Sequence, residues 1–249
     1  MDNRIEIKNK VTFVLTSCKR FDLLEHTLRS FFKYNTYPIE EYIVIEDSPN
    51  VDKLKRVLQK FKDITFTVLY NNPQMGQLPS IDRAYAQVKT DYIFHCEDDW
   101  LFYREGFIEK SFSVLWDNEK VINVWLREQD DTNRHPLEPT IYRTKDGVEY
   151  KYLVTGFREV CHGFTFNPGL RRTADYDLIK PYSKWADEGD LSNEYHKYQF
   201  RGAILLKGYV KHLGDHRKIR YNINEKEWVK NLAHLKKRMG ASICKTLGI

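Results

Sequence analysis

The sequence lacks the long apolar runs that would place it in a membrane. No stretch of about 18 consecutive apolar residues, the length of a membrane-spanning helix, occurs in it. The first ten residues, MDNRIEIKNK, are polar and contain no apolar segment of the kind that signal peptides require. The sequence therefore predicts no signal peptide and no transmembrane segment, and we expect a cytoplasmic location.

Cysteine is also scarce, with four residues that are widely separated and form no C-x-x-C pair: Cys18, Cys96, Cys161 and Cys244. In a chain of 249 residues, so few cysteines do not indicate a fold stabilised by disulfide bonds, and we expect reduced thiols. Cys96 and Cys161 each adjoin a histidine, which raises the question of zinc. Their spacing matches no common zinc pattern, so we exclude a zinc site.

Long runs of Lys and Arg are missing, although the net charge is +5. Without a basic stripe interleaved with aromatics, a nucleic-acid partner is disfavoured. The modest positive excess weakly favours anionic ligands such as nucleotide diphosphates. A hydrophobic content of 41% and a charged content of 30% are those of a globular protein. The 16 Tyr, 14 Phe and 5 Trp suit either an ordinary core or a surface that stacks sugars or bases.

The first hundred residues alternate between short β-branched runs and stretches with helical spacing of apolar residues. Such alternation with short connections predicts right-handed β-α-β crossovers and a mainly parallel sheet flanked by helices. The predicted strands are 11–17, 41–47, 64–70 and 91–97, and the predicted helices are 20–34, 51–61 and 76–88.

The pattern continues less regularly in the second half of the chain. A helix at 104–118 and a strand at 121–128 are followed by a polar stretch, 129–155, that we interpret as an insertion with hairpin strands. A helix at about 188–200 and strands at 202–206 and 209–214 follow, and the tail reads as a helix with a basic face. That helix could contact a membrane surface or an anionic partner, or it could pack on the domain with its lysines in water.

Polar or acidic side chains follow three of the predicted strands at the point where each ends. In an open parallel sheet, ligands bind outside the carboxyl ends of the strands. Closely spaced carboxylates suit a hard divalent cation such as Mg²⁺ or Mn²⁺. A turn with helix capping is the alternative for the second cluster. The clusters are Thr16, Ser17 and Lys19; Glu46, Asp47 and Ser48; and Glu97, Asp98 and Asp99.

From Val11 to about Asp99 the sequence resembles a family 2-type glycosyltransferase with the GT-A nucleotide-sugar-binding fold. TSCKRFDLLEHTLRSF is similar to the opening strand, loop and helix of that family. YIVIEDSPN resembles the strand whose terminal acid contacts the base or ribose. NNPQMGQLPSIDRAYAQVKTDYIFHCEDD is similar to the family's Asn, Gly and small-residue spacing up to its D-x-D motif.

The resemblance implies a set of donor and metal contacts. It places Asp99 on Mn²⁺ or Mg²⁺, while Glu97 stands where the family more often has Asp. The residues that it assigns to the nucleotide-sugar are Thr16, Ser17, Lys19, Arg20, Glu46, Asp47, Gly76, Gln77, Asp82, Glu97 and Asp98.

The second half resembles the family more loosely. EGDLSNEYHKYQFRGAILLKGYVKHLGDHR is similar to a closing pattern in which an acid precedes a helix and a strand ends in His-x-Gly. The resemblance implies that Glu188 is the catalytic base and that His212 contacts the metal or the diphosphate. Asp187, Asp190 and Glu194 are competing candidates for the base, and each is also a normal acid at a helix start. CHGFTFNPGLRR resembles a family loop that could shape an acceptor-side wall, with Arg171 or Arg172 facing a phosphate or simply solvated.

The resemblance thus implies a metal-dependent transfer of sugar from a nucleotide-sugar, by family analogy a UDP-sugar, to a hydroxyl acceptor on a glycan, protein or small molecule. One base and one metal imply inversion at the anomeric carbon. We expect a single GT-A-like domain, 1–249, with a nucleotide-sugar-binding half at 1–128, an acceptor-side half at 129–222 and a basic helix at 223–249. Two alternatives stay open, a nucleotidyltransferase and a non-catalytic nucleotide-sugar-binding protein. The absence of glycine from TSCKRF argues against the first.

Overall fold

Short buried strands from the first half of the chain build the central sheet. In a computed structural model, which describes residues 9–214, these strands are β1 (Val11–Ser17), β2 (Glu41–Glu46), β3 (Phe66–Tyr70) and β4 (Tyr92–Glu97). Every residue of β1 is buried, as expected for a strand covered on both faces of a parallel sheet. The predicted basic helix at 223–249 lies outside the described residues.

Three helices alternate with these strands and cover the sheet. They are α1 (Phe21–Tyr34), α2 (Val51–Leu58) and α3 (Gln77–Tyr85). Helix α1 shows why they pack as they do, because Leu24, Leu28 and Phe31 recur at helical spacing and are fully buried. Phe31 lies 4.2 Å, between ring centroids, from Phe13 of β1, so the helix is anchored directly on the sheet.

The central sheet has the strand order β3-β2-β1-β4-β9, and its first four strands are parallel. The predicted α/β class with a mainly parallel sheet is therefore confirmed. Strand β9 (Gly169–Arg172) pairs antiparallel with β4 and lies at the edge. The sequence predicts a loop for this segment, because a four-residue strand with Gly at its start has too little periodicity to be recognised without its partner.

The second half of the chain adds a smaller mixed sheet, in the order β6-β10-β8-β7. Strands β7 and β8 form the hairpin predicted inside 129–155. Helix α5 was not predicted. The remaining elements here are α4 (Phe107–Asp117), β6 (Val121–Trp125), β7 (Tyr142–Arg143), β8 (Glu149–Tyr152), α5 (Thr173–Ile179), α6 (Glu188–Lys197) and β10 (Arg201–Leu205).

Two very short strands bring the end of the described chain back to the acidic triplet. Strand β5 (Trp100–Phe102) begins directly after Asp99 and pairs antiparallel with β11 (Val210–His212). The register places His212 opposite Trp100. This pairing is the structural reason why two segments about a hundred residues apart in sequence share one site. Within residues 9–214, no helix is long and apolar enough to cross a membrane.

Candidate active site

The carboxyl ends of β1, β2 and β4 lie side by side, as the sequence predicted. In the register of the central sheet, Thr16 is the partner of Glu97 and Ser17 is the partner of Glu46. Because the three strands are parallel neighbours, the residues that follow them emerge at one edge. The polar clusters recognised in the sequence therefore belong to a single site.

Asp98 is the most deeply held acid of the triplet. Its side chain is fully buried and accepts hydrogen bonds from the Ser17 hydroxyl at 3.2 Å and from the Cys18 backbone N–H at 3.1 Å. Arg20 donates to its other carboxylate oxygen. With a hydrogen bond or an ion pair at each oxygen, Asp98 fastens the loop after β1 to the end of β4.

Asp99 is held by the same arginine and by the returning chain. Its Oδ2 atom lies 2.5 Å from Arg20 Nη1 and 3.1 Å from His212 Nε2. The backbone N–H of Leu213 donates to the carbonyl of Asp99 at 2.8 Å. Gly214 lies so close that a Cβ atom there would come within 2.1 Å of Asp99 Oδ2. The His-x-Gly sequence therefore packs directly on the acid that the resemblance places on the metal.

The donor set at Asp99 fits a divalent cation in part. Asp99 Oδ1 is buried and has no hydrogen-bond partner among the described residues, and His212 is adjacent. No group of three or more His, Cys, Asp or Glu side chains within residues 9–214 is arranged to hold a metal ion. Mg²⁺ and Mn²⁺ keep several waters and are bound through one or two protein ligands plus substrate phosphates, so a two-residue site suits them.

Glu97 lies beside this pair, at the end of β4. Gln77 donates its side-chain N–H to Glu97 Oε1 at 2.8 Å. Burial raises the pKa of Glu97 to about 8, and the charges of Asp99, Glu188 and Asp98 add to the increase. Asp99 behaves differently, because its hydrogen bond to His212 and the charge of Arg20 outweigh burial and lower its pKa. Within the triplet, the pKa values of Glu97 and Asp98 are thus raised by burial, whereas that of Asp99 is lowered.

The two acids after β2 have different surroundings. Asp47 uses both carboxylate oxygens on the loop before α3, accepting from Asn71, Met75 and Gly76 at 2.8 Å each. Glu46 accepts from the Lys19 N–H at 2.9 Å and from the Ser48 hydroxyl through Oε1 only. Its Oε2 atom is buried and has no hydrogen-bond partner among the residues described. Asp47 therefore shapes the loop, whereas Glu46 keeps a carboxylate oxygen available.

The remaining predicted donor residues are placed unevenly. Lys19 lies at the mouth of the site, where its Nζ atom donates to Gln74 at 2.9 Å. Gly76 has a φ of 99°, a left-handed conformation that favours glycine, at the start of α3. Asp82 faces away, since its oxygens accept from the Tyr176 hydroxyl and from the backbone N–H groups of 182 and 183. A donor contact by Asp82 stays a prediction, and its observed contacts join α3 to the second half.

Among the candidate bases, Glu188 is the one whose carboxylate turns inward. It accepts from the Phe166 N–H at 2.7 Å and from the Thr165 hydroxyl at 3.4 Å. Burial raises its pKa, against the effect of these two donors and of Arg171. The charge of Glu188 also raises the pKa of Glu97, so an acid of the second half lies near enough to the acidic triplet for the charges to interact.

The competing acids have structural contacts at the start and on the surface of α6. Asp187 is the N-cap of that helix and accepts from the Asp190 N–H at 3.0 Å. Asp190 in turn accepts from the Ala186 N–H at 3.2 Å, so the two carboxylates cap the helix reciprocally. Glu194 is paired with Lys197 at 2.6 Å. These contacts explain all three acids without a catalytic role.

Arg171 has a position that the sequence did not indicate. The sequence left open whether it or Arg172 faces a phosphate or solvent, but only 2% of Arg171 is exposed. Arg172 donates to Asp175 at 3.1 Å and to backbone carbonyls, among them that of Val121 at 2.9 Å. Neither is a solvated arginine. Recognition of β9 as a strand would have placed the two neighbours on opposite faces.

The fold defines a class, that of α/β proteins of the GT-A type. The chain belongs to glycosyl transferase family 2, because the model of that family matches residues 12–178. The predicted family is confirmed. No curated protein matches the sequence.

Solved structures of similar fold are glycosyltransferases of low sequence identity. TarS 1-349 of S. aureus in complex with UDP-GlcNAc has a TM-score of 0.59 at 12% identity, over 88% of this chain and 63% of that one. The mannosyltransferase PcManGT of Pyrobaculum calidifontis, with GDP-Man and Mn²⁺, has a TM-score of 0.56 at 11% identity, over 81% of this chain and 55% of that one. GalNAc-T7 with UDP, GalNAc and Mn²⁺ has a TM-score of 0.58 at 11% identity, over 82% of this chain and 44% of that one. The chain thus spans less than two thirds of each of these three proteins.

Proposed function

We propose that the protein is a glycosyltransferase that moves a sugar from a nucleotide-sugar to a hydroxyl acceptor with the help of a divalent cation. The observation that carries this proposal is the buried Asp99 Oδ1 atom, which has no hydrogen-bond partner among residues 9–214 and belongs to the carboxylate that His212 contacts, with Glu188 near enough to act on Glu97. The reaction needs a charged diphosphate on one side of the sugar carbon and a base on the other. We assign the first role to the carboxylate of Asp99 with its cation and the second to the carboxylate of Glu188.

The donor nucleoside is assigned to the edge formed by β1 and β2. Glu46 is the acid for a ribose hydroxyl or a base N–H, because its buried Oε2 atom has no partner among residues 9–214 and an unpaired buried acceptor is costly. Asp47 acts indirectly by holding the N–H groups of Met75 and Gly76. A UDP-sugar is the first donor to test, since the TarS and GalNAc-T7 structures contain UDP compounds, while PcManGT contains GDP-Man.

The cation is assigned to Asp99 Oδ1 and to His212, beside the expected position of the diphosphate. A cation bound there would neutralise the negative charge that develops on the leaving diphosphate. Mn²⁺ is the first ion to test, because it is present with PcManGT and GalNAc-T7. Arg20 and Asp98 position this carboxylate by fixing the loop after β1 against the end of β4.

Glu188 is assigned as the base that removes the proton from the acceptor hydroxyl. A raised pKa, caused mainly by burial, suits a base that works near neutral pH. Thr165 and Phe166 hold one of its oxygens, so the other is left for the acceptor. With a single base and no carboxylate nucleophile assigned, the displacement is direct and inverts the anomeric carbon.

The test is donor hydrolysis and donor binding on a panel of nucleotide-sugars with and without Mn²⁺. Transferases of this type leak slowly to water, so the proposal predicts Mn²⁺-dependent release of the nucleoside diphosphate from at least one donor. The same donor should raise the melting temperature by mass action. Glu188→Gln should bind that donor equally well and lose transfer. Binding without turnover in the unaltered protein would instead favour the non-catalytic alternative, and no binding of any nucleotide-sugar would exclude the proposal.

A further inference from the structure

Arg171 is a buried cation without a carboxylate in hydrogen-bonding contact. Its guanidinium lies over the rings of Phe164 and Phe166, with centroid distances of 5.5 and 5.7 Å. Its Nη2 atom donates a hydrogen bond to the carbonyl of Thr165 at 3.1 Å. Its Nε and Nη1 atoms are buried and have no partner in the described part of the chain. Such a charge is expensive to bury, so its retention calls for a reason.

The bond to Thr165 connects Arg171 to Glu188 through a single peptide group. The carbonyl of Thr165 and the N–H of Phe166 belong to the same peptide unit. Arg171 donates to its oxygen at 3.1 Å, and its N–H donates to Glu188 Oε2 at 2.7 Å. A cation at the carbonyl polarises the peptide and strengthens its N–H as a donor. The charge of Arg171 therefore favours the ionised form of Glu188 in two ways, directly and through this peptide.

Among the groups around Arg171, the carboxylate of Glu188 is the main negative charge that can balance the guanidinium. Arg171 is faced by the hydroxyls of Tyr85, Tyr182 and Tyr195, whose pKa values are all raised by burial, so they stay neutral. His95 is also close, and burial holds its pKa well below the ordinary value.

Besides Arg171, three titratable groups lie near enough to Glu188 to interact with its charge. They are Glu97 from β4, Asp187 from its own helix and the thiol of Cys161. The charge of Asp187 opposes its ionisation, the charge of Glu188 raises the pKa of Glu97, and burial raises the pKa of the thiol and keeps it neutral. Arg171 is thus the one positive group among the neighbours described here that supports the Glu188 carboxylate.

We propose that Arg171 is a positioning residue for Glu188, which it keeps ionised and oriented through the Thr165–Phe166 peptide. This inference rests on the proposed function for its catalytic meaning, while the link between the two residues stands on the geometry. In this role, the positive charge of Arg171 offsets the effects of burial and of the neighbouring acids on Glu188. Without Arg171, burial would raise the pKa of Glu188 further.

The test measures the pKa of Glu188 directly, by ¹³C NMR of glutamate-labelled protein, with Glu188→Gln used to identify the resonance. Arg171→Gln keeps a donor for the Thr165 carbonyl and removes the charge, so the pKa of Glu188 should rise by about one unit. Arg171→Met should raise it at least as much and serves if the first variant does not fold. Arg171→Lys restores the charge and should bring the pKa back toward that of the unaltered protein. Arg172→Met removes the adjacent arginine of the same strand and should leave the pKa of Glu188 unchanged.

The acidic limb of the pH–rate profile for transfer should move in the same direction and by the same amount. An unchanged Glu188 pKa in folded Arg171→Gln and Arg171→Met would overturn the inference. A shifted pKa in a protein that shows no transfer, or whose Glu188→Gln variant transfers at the original rate, would overturn the proposed function and leave the inference intact. The two proposals therefore fail in different measurements.

Discussion

Arg20 Nη1 lies 2.5 Å from Asp99 Oδ2, and the Nη2 atom of the same guanidinium pairs with Asp98. One arginine at the start of the first helix thereby pairs with two adjacent acids at the end of the fourth strand. Adjacent carboxylates repel each other, and burial adds to the cost. The arginine makes the pair tolerable while Asp99 Oδ1 stays without a hydrogen-bond partner among residues 9–214.

Replacement of Arg20 by Met should destabilise the protein strongly. Because Asp98 is fully buried, the loss of its cation leaves an uncompensated charge, which costs about 3–5 kcal/mol of the free energy of unfolding. Urea unfolding at neutral pH measures the loss. Arg29→Met is the matched control, since Arg29 pairs with Glu25 on the surface and should cost less than about 1 kcal/mol. Equal losses in both variants would contradict the buried-pair interpretation.

Asp99→Asn should weaken Mn²⁺ binding and donor turnover together. Asn is nearly isosteric but lacks the negative charge that a hard cation requires. We expect at least a roughly 10²-fold fall in Mn²⁺-dependent transfer. Mn²⁺ titration followed by EPR gives a readout that does not depend on activity. Asp52→Asn, on the exposed side of α2, is the control and should change neither quantity. Full Mn²⁺ affinity in Asp99→Asn would exclude Asp99 as a ligand.

Glu188→Gln should lose activity and gain stability, with a definite dependence on pH. In the folded protein the pKa of Glu188 lies above its ordinary value of 4.5. The stability that protonated Glu188 contributes is therefore fully present below the unfolded pKa and is lost as pH rises through the folded pKa. The uncharged variant avoids that loss, so its melting temperature should match that of the unaltered protein near pH 4.

Above the folded pKa the Glu188→Gln variant should have a higher melting temperature than the unaltered protein, because it avoids the cost of the buried charge. Transfer should fall by roughly 10²–10⁴-fold. Thermal melts between pH 4 and 8 test the first part and donor turnover the second. A variant less stable than the unaltered protein at pH 8 would contradict the assigned direction.

Asp187→Ala should affect stability and leave the chemistry in place. The Asp187 side chain caps α6 by accepting from the Asp190 N–H, and loss of such a cap costs about 1 kcal/mol. Asp187→Asn keeps an equivalent acceptor and should be close to neutral. Denaturant unfolding separates the two variants, and transfer assays should give both a pH–rate profile like that of the unaltered protein. A large loss of activity in Asp187→Asn, with the helix intact, would move the role of base to Asp187.

The local pattern of apolar and polar residues was sufficient to predict which strand ends lie together at the site. The apolar runs that end in Ser17, Glu46 and Glu97 are visible in the sequence, and the ends of parallel strands meet at one edge. Element bounds differed by a few residues, as for β3, which begins at Phe66 and not at Ile64. The short strands β5 and β9 were harder to recognise, because three or four residues carry little periodicity and form strands only through pairing with distant segments.

The sequence by itself determined the α/β class, the family and the three acidic or polar strand ends, because these depend on periodicity and on residues close together in the chain. The tertiary structure alone decided which acids have oxygens to spare. It engages Asp47 with the loop at 71–76 and Asp82 with residues 176–183, and it leaves one oxygen of Glu46 and one of Asp99 without a partner among residues 9–214. It also buries Arg171 and connects it to Glu188 through the Thr165–Phe166 peptide. Whether a carboxylate is structural or available depends on which donors reach it, and those donors come from segments far away in sequence.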